Sequence, residues 1–353
     1  MKKTAIFTIV FLIFTVSVYA ESYEIKGNRI FNDTTQSIID GTFSPEPSNV
    51  INAFISSFFS EIKSTASELK TVLIICVISG LLKILTDSFM DSQAANSASL
   101  GCFLLAAFPI LKLFSDIMGY ASHAINNLCD FITKFEPVFM TMLISGGAVF
   151  QAAAFSPILA ASVYISSVII NKCILPLCCF SAILGISDSL GELGTGALSK
   201  LVNSVSKWLL TGLLTLFTAL LSIYGFASKA FNNVTVKGLK FTVGSLVPVV
   251  GGILSDTVDT VLSGANLIKN AVGTAGMVTV VSIVFIPVLK ILAMLTLLRL
   301  CGALLEAFSE KRITAILGSV ADAVKTAFST VIATAVLFII SISVILLASG
   351  VSL

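Results

Sequence analysis

The sequence predicts an all-α polytopic membrane protein of about seven or eight transmembrane helices after a signal sequence, one of them broken by proline and glycine. Three observations carry that prediction. The 353 residues are 56% hydrophobic and only 11% charged, with a mean hydropathy of +1.02, whereas soluble domains carry about 25% charged residues. Uncharged stretches such as Ser92–Leu111 and Trp208–Ser228 reach the ~20 apolar residues needed to cross a hydrocarbon core about 30 Å thick. Proline and glycine recur inside one further apolar run, where the freed backbone groups must be satisfied by protein or water.

Residues 1–20 read as a signal peptide. Lys2 and Lys3 supply the basic start, Thr4 to Val18 the apolar run, and Val18-Tyr19-Ala20 a small-residue cleavage pattern before Glu21. Residues 21–49 read as an extracytoplasmic polar tail, closing on the turn-rich GTFSPEPSN. Residues 50–70 read as an amphipathic juxtamembrane helix, because Ile51, Phe54, Ile55, Phe58, Phe59 and Ile62 recur at helical spacing opposite Ser, Glu and Lys. Two roles stay open for it: lying in the bilayer interface, or presenting Phe54, Phe58 and Ile62 as a docking face for a partner protein.

Residues 71–349 form the multispan membrane domain. Thr71–Thr86 is the weakest span, with Lys83 inside it, and Ser92–Leu111 follows. The 35 uncharged residues Pro137–Asn171, interrupted by Gly146-Gly147, Gln151 and Pro157, read as parts of two spans, 137–155 and 157–187. Then come Trp208–Ser228, the element 241–262, a long span 271–298 with Pro287 and Lys290, and a last one at 326–349. Three connecting segments are amphipathic: Phe114 to Phe135, Leu198 to Trp208, and Ile313 to Val324. Each fits an interfacial helix or an oligomer contact equally well.

The element at 241–262 is the candidate functional stretch. Its uncharged part, Phe241–Ser255, is 15 residues, about 22 Å as a helix, and short for a full crossing. It holds Gly244, Pro248, Gly251 and Gly252, then Asp256 and Asp259. The two aspartates are three apart and share a helical face, where they suit cation binding, proton exchange or pairing with a lysine. Broken helices beside charged groups are a common way for transporters to build a binding centre. The competing reading puts both aspartates at the far interface. Basic residues in the loops favour a crossing: with 241–262 as a span the inside loops hold seven and the outside loops five, against four and eight if it dips and returns. Lys83 and Lys290 lie near span ends, where a long side chain reaches the interface; Lys172 lies nearer mid-run.

Other classes are poorly supported. A net charge of +2 gives no footprint for nucleic acid. One histidine, His123, argues against histidine-based metal sites and triads. The cysteines (76, 102, 129, 173, 178, 179 and 301) show no CxxC or zinc spacing, and most lie in apolar runs as small hydrophobes. There is no GxxxxGK[ST], no HExxH and no Gly-x-Gly-Asp. The expectation is a non-enzyme without cofactor or metal.

The FEPVF stretch (Phe135–Phe139) with the downstream GGAVFQAAAFSP (Gly146–Pro157), and above all TVKGLKFTVGSLVPVVGGILSDTVDTVLSGANLIKNAVGTAG (Thr235–Gly276), resemble the stage III sporulation protein AE family of endospore-forming bacteria. The resemblance covers roughly residues 50–349. It implies the polytopic membrane component of a mother-cell complex in the membrane facing the forespore. That complex is similar to a secretion or feeding channel joined to a forespore protein and required for forespore development. Its implied partners are sibling proteins of the same operon, including ring-forming proteins and a cytoplasmic ATPase, besides the lipid bilayer and further copies of the chain. No residue chemistry comes with the resemblance, so two alternatives stay open: a secondary transporter using Asp256 and Asp259, and a structural scaffold.

Overall fold

The computed structural model describes residues 92–145, 149–189, 194–246, 251–306 and 311–348, with scattered helical positions between 59 and 78. The described residues are helical apart from the turn at 194–195, with no strand among them. We number the helices α1 (Ser92–Ser145), α2 (Val149–Ile169), α3 (Leu175–Ser189), α4 (Gly196–Leu246), α5 (Gly251–Glu306) and α6 (Lys311–Ala348). A five-residue π-helical turn, Ile170–Ile174, joins α2 to α3. Pro176 explains the turn: it has no N–H for the carbonyl four residues back, and a widened turn absorbs the missing bond.

Among the described residues, five apolar stretches are long enough to cross a membrane: Phe103–Ile144, Ala152–Ser189, Gly196–Ile223, Val272–Glu306 and Arg312–Leu347. The expected fold class, an all-α membrane protein, is what these helices form. The helices are longer than the expected spans. The run 92–111, the amphipathic segment after it and Pro137–Ser145 are one 54-residue helix, about 80 Å long. The division expected near residue 156 lies instead between Ser145 and Val149, and α2 runs through Pro157. Pro157, the ninth residue of α2, removes one intrahelical bond without ending the helix. The signal stretch, the polar tail, Phe54, Phe58 and Lys83 lie outside the described residues.

The connecting segments settle differently. Phe114, Ile117, Ala121, Ile125, Leu128 and Ile132 are buried along α1, as are Ile313, Ile316, Leu317, Val320 and Val324 along α6. These two stripes are core. On α4 most of the apolar stripe faces outward instead: Leu198, Leu201, Val205 and Trp208 are exposed, while Val202 is buried with Ser199, Asn203 and Ser206.

The chain divides into two compact units. The first contains Cys173–Trp208, Phe285–Thr330 and the described residues up to His123. Small and polar side chains bring its helices together. Ser181 and Ser199 each donate to the other's backbone carbonyl, at 3.0 and 2.7 Å. Thr326 donates to Asn203 at 2.6 Å, and Gly185 lies against Ser319 so closely that no side chain fits. Lys290, expected to reach for the interface, sits 4.2 Å from the Tyr120 ring centroid as a cation–π contact. Arg299 pairs with Asp322 at 2.5 Å on the surface.

The α3–α4 turn explains how α4 starts. Gly194 takes a left-handed φ of 59°, which costs glycine nothing. Thr195 donates to the Leu184 carbonyl at 2.9 Å, and the Asp188 carboxylate accepts the Gly196 N–H at 2.8 Å. A carboxylate there satisfies an orphan donor and complements the positive helix end. Asp188→Ala is expected to destabilise the protein by about 1 kcal/mol, the usual cost of a lost cap. Thermal unfolding in detergent reads this, and Asp188→Asn should retain most of the stability.

Candidate functional site

The second unit comprises Ala124–Lys172, Leu209–Val284 and Val331–Leu353. Its organising feature is the hairpin of α1 and α2, whose facing sides are sewn by polar groups. Asn171 donates its amide to the Asn126 side-chain oxygen at 2.9 Å. One end of the seam is thus an amide pair. Toward the hairpin turn, Ser156 donates to the Glu136 carboxylate at 2.7 Å. The paired positions run oppositely along the two helices, as an antiparallel hairpin requires. In an apolar surrounding such bonds hold helices together and fix their register.

Beside Glu136, the rings of Phe131, Phe135 and Phe139 stack at centroid distances of 5.4 and 5.2 Å. They are spaced four residues apart, so helical geometry alone aligns them on one face. Phe135 then packs against α5: a Cβ placed on Gly276 would lie 2.5 Å from the ring's Cζ. One turn earlier a Cβ on Gly273 would lie 2.5 Å from Leu346 of α6, and Ser343 of α6 bonds the Met277 sulfur at 3.2 Å. Glycines at these two places let α5 approach both neighbours closely.

Phe135 and Glu136 belong to FEPVF, Ser156 to AFSP and Gly276 to the closing GTAG. Residues far apart in the chain, all from the stretches that carry the family resemblance, therefore meet in one packed node. Glu136 is the residue of this node that sequence reasoning misses. It sits at the end of an amphipathic stripe, and the available signal is an acidic residue immediately before proline inside a helix of spanning length.

The predicted broken-helix residues divide as follows. Gly244 lies on α4, which ends at Leu246; Gly251, Gly252, Asp256 and Asp259 lie on α5, which starts at Gly251. Pro248 lies outside the described residues, as do the side chains of Asp256 and Asp259. Asp256 and Asp259 belong to one continuous helix. Ile62 is helical and half-buried. Lys172 is exposed in the π-helical turn. Among the described residues no three His, Cys, Asp or Glu side chains gather as a metal site would need.

Residues 30–349 match the family described as "Stage III sporulation protein AE". A curated relative from Bacillus subtilis (strain 168), also called stage III sporulation protein AE, is 26% identical over 316 residues, covering 89% of this chain and 79% of the relative. No solved structure matches the chain.

Proposed function

This chain belongs to the stage III sporulation protein AE family, and from that premise we propose that it is a non-enzymatic membrane subunit of a sporulation secretion or feeding channel linking mother cell and forespore. The family name ties the protein to sporulation and contains no enzyme name. The long apolar helices make it a membrane protein. The channel reading takes its support from the family resemblance, and one structural observation is in keeping with it. The second unit holds Glu136, Asn126 and Asn171 in a bonded polar seam between helices of spanning length. Side chains of this kind are costly in lipid and tend to mark pathways or partner contacts.

In this reading the protein sits in the mother-cell membrane facing the forespore. It assembles with sibling membrane proteins of its operon, including ring-forming proteins, and with a cytoplasmic ATPase. Removing the gene from the spore former should leave engulfed forespores that lose late gene expression, and the wild-type copy should restore it. A deletion strain that forms spores at the normal frequency would sink the proposal.

A second reading, a secondary transporter with its site at Asp256 and Asp259, takes its support from the sequence, where Pro248, Gly251 and Gly252 immediately precede the pair. Asp256→Asn with Asp259→Asn separates the two. For the channel subunit we expect late forespore expression within about twofold of wild type, since no step depends on two ionised carboxylates. A tenfold or greater loss with intact complex assembly would select the transporter. A scaffold would tolerate both changes and fail with polar substitutions at Phe54, Phe58 or Ile62.

A further inference from the structure

The second unit has one side unlike the others. On α2 the large exposed side chains are Val149, Tyr164, Ile165 and Val168; on the part of α4 in this unit they are Leu216, Leu220 and Ile223; on α6 they are Ile332, Val336 and Leu347. The stretches that carry them, 149–171, 209–223 and 331–348, contain no Asp, Glu, Lys or Arg, and neither does 272–289 of α5. These surfaces suit lipid. Helix α1 is the opposite. Its exposed residues between 126 and 134 are Asn126, Asn127, Asp130, Thr133 and Lys134, none of them apolar; Thr141 lies on the same face beyond the exposed Pro137, and the exposed Ile144 ends it. At 100° per residue the six polar residues fall within an arc of about 120°, so they form one stripe.

Contacts inside the unit fix the level of that stripe. Asn126 bonds Asn171 and Glu136 bonds Ser156, so residues 126–136 run alongside 156–171 of α2. Phe135 against Gly276 places the same stretch beside the charge-free part of α5. An acid and a base on α1 are therefore level with neighbours that carry no charge at all. If those neighbours cross the hydrocarbon, lipid cannot solvate Asp130 and Lys134; such residues face a water-filled cavity or a matching polar surface. One helix face supplies only one wall of a cavity. With Asp130 and Lys134 one turn apart on the same face, the stripe is complementary to itself, which suits repetition around a shared space.

We propose that the Asn126, Asn127, Asp130, Thr133, Lys134 and Thr141 face of α1 lines a water-filled passage closed by further copies of this chain. The inference rests on the membrane-channel reading above and moves the water-facing surface to α1, away from the Pro248–Gly252 stretch.

The test is thiol accessibility in membrane vesicles. In a full-length variant without its native cysteines, single cysteines replace Asn127, Asp130 and Lys134 on α1, and Ile165, Val168 and Val336 as lipid-facing controls. A charged, membrane-impermeant thiol reagent should modify the three α1 positions at least tenfold faster than the controls. Equal, slow reaction at all six would overturn the passage while leaving the protein in the membrane. Equal, fast reaction at all six would instead remove the membrane placement of the unit, and the inference with it. Positions protected in native vesicles but reactive in vesicles of the purified protein would assign the face to a partner protein and also overturn the proposal.

A second measurement keeps the native cysteines. The wild-type chain, reconstituted in a planar bilayer under a tenfold KCl gradient, should conduct, and Lys134→Glu should shift the reversal potential toward that of a cation-selective pore. No conductance from the wild-type protein, or an unchanged reversal potential in a conducting Lys134→Glu protein, would overturn it. Conductance that fails to restore forespore development would count against the proposed function and not against the passage.

Discussion

Gly185→Ala is expected to lower the thermal unfolding midpoint of the detergent-solubilised protein by roughly 3 °C, corresponding to about 2 kcal/mol in a chain of this size. Helix propensity predicts the opposite, because alanine in a helix interior is favoured over glycine by roughly 1 kcal/mol. The packing decides the sign. A Cβ on Gly185 would run into the Cβ and Oγ of Ser319, atoms next to the α6 backbone that no rotamer change removes. Helix α3 would have to move away from α6, stretching the Ser181–Ser199 bonds one turn away. Ser319→Gly in the same protein removes both obstructing atoms and should return most of the lost stability. A single Gly185→Ala protein as stable as wild type would show that α3 and α6 are not closely packed.

The second large effect is expected at Gly276. Leucine there would place its Cβ 2.5 Å from the Phe135 ring and add three further carbons to a filled space. The cost should be about 3 kcal/mol, at the upper end of overpacking. Forespore development should fall with it, because the node joins α1, α2 and α5 through Phe135, Glu136 and Ser156. The change is diagnostic in combination. Phe135→Ala alone should destabilise, since it empties the place where the ring stacks on Phe131 and Phe139. Combined with Gly276→Leu it should be far less harmful than the sum, because the new side chain enters the vacated volume. Strict additivity would mean that the two residues do not share a space.

Several levels of this protein are legible in its amino-acid order. Low charge and long apolar runs point to the all-helical membrane class, since only a few arrangements bury every backbone polar group in hydrocarbon. Helical periodicity locates the stripes of Ile117–Ile125–Ile132 and Ile313–Ile316–Val320, which are buried in α1 and α6. The same periodicity marks Leu198, Leu201, Val202, Val205 and Trp208 as a third stripe, and here all but Val202 are exposed while Ser199, Asn203 and Ser206 are inside. Spacing reports that a helix has two faces. Which face points inward depends on what the neighbour offers, and α4 is offered Ser181 and Thr326.

Helix ends are less legible than helix faces. A proline at 157 and a glycine pair at 146–147 both read as interruptions, and only the second separates two helices. The break expected around Pro248–Gly252 falls partly outside the described residues, which resume at Gly251. Glu136 is hidden by its setting: beside Lys134 and Asp130 it looks like part of a solvated face, and its bond to Ser156 crosses 20 residues of sequence.

What the sequence by itself determined is the composition-driven part: a helical membrane chain, the stretches that identify its family, and the two-faced character of α1 and α6. These follow from the apolar content and a 3.6-residue period, which are local properties. Only the tertiary structure decided the pairings, with Phe135 on Gly276, Glu136 on Ser156, Asn126 on Asn171 and Gly185 under Ser319. It also decided that the polar stripe of α1 lies level with charge-free stretches of α2 and α5. The physical reason is that contact between distant segments is set by complementary shape and hydrogen bonding across an interface, to which no single stretch of chain holds both halves.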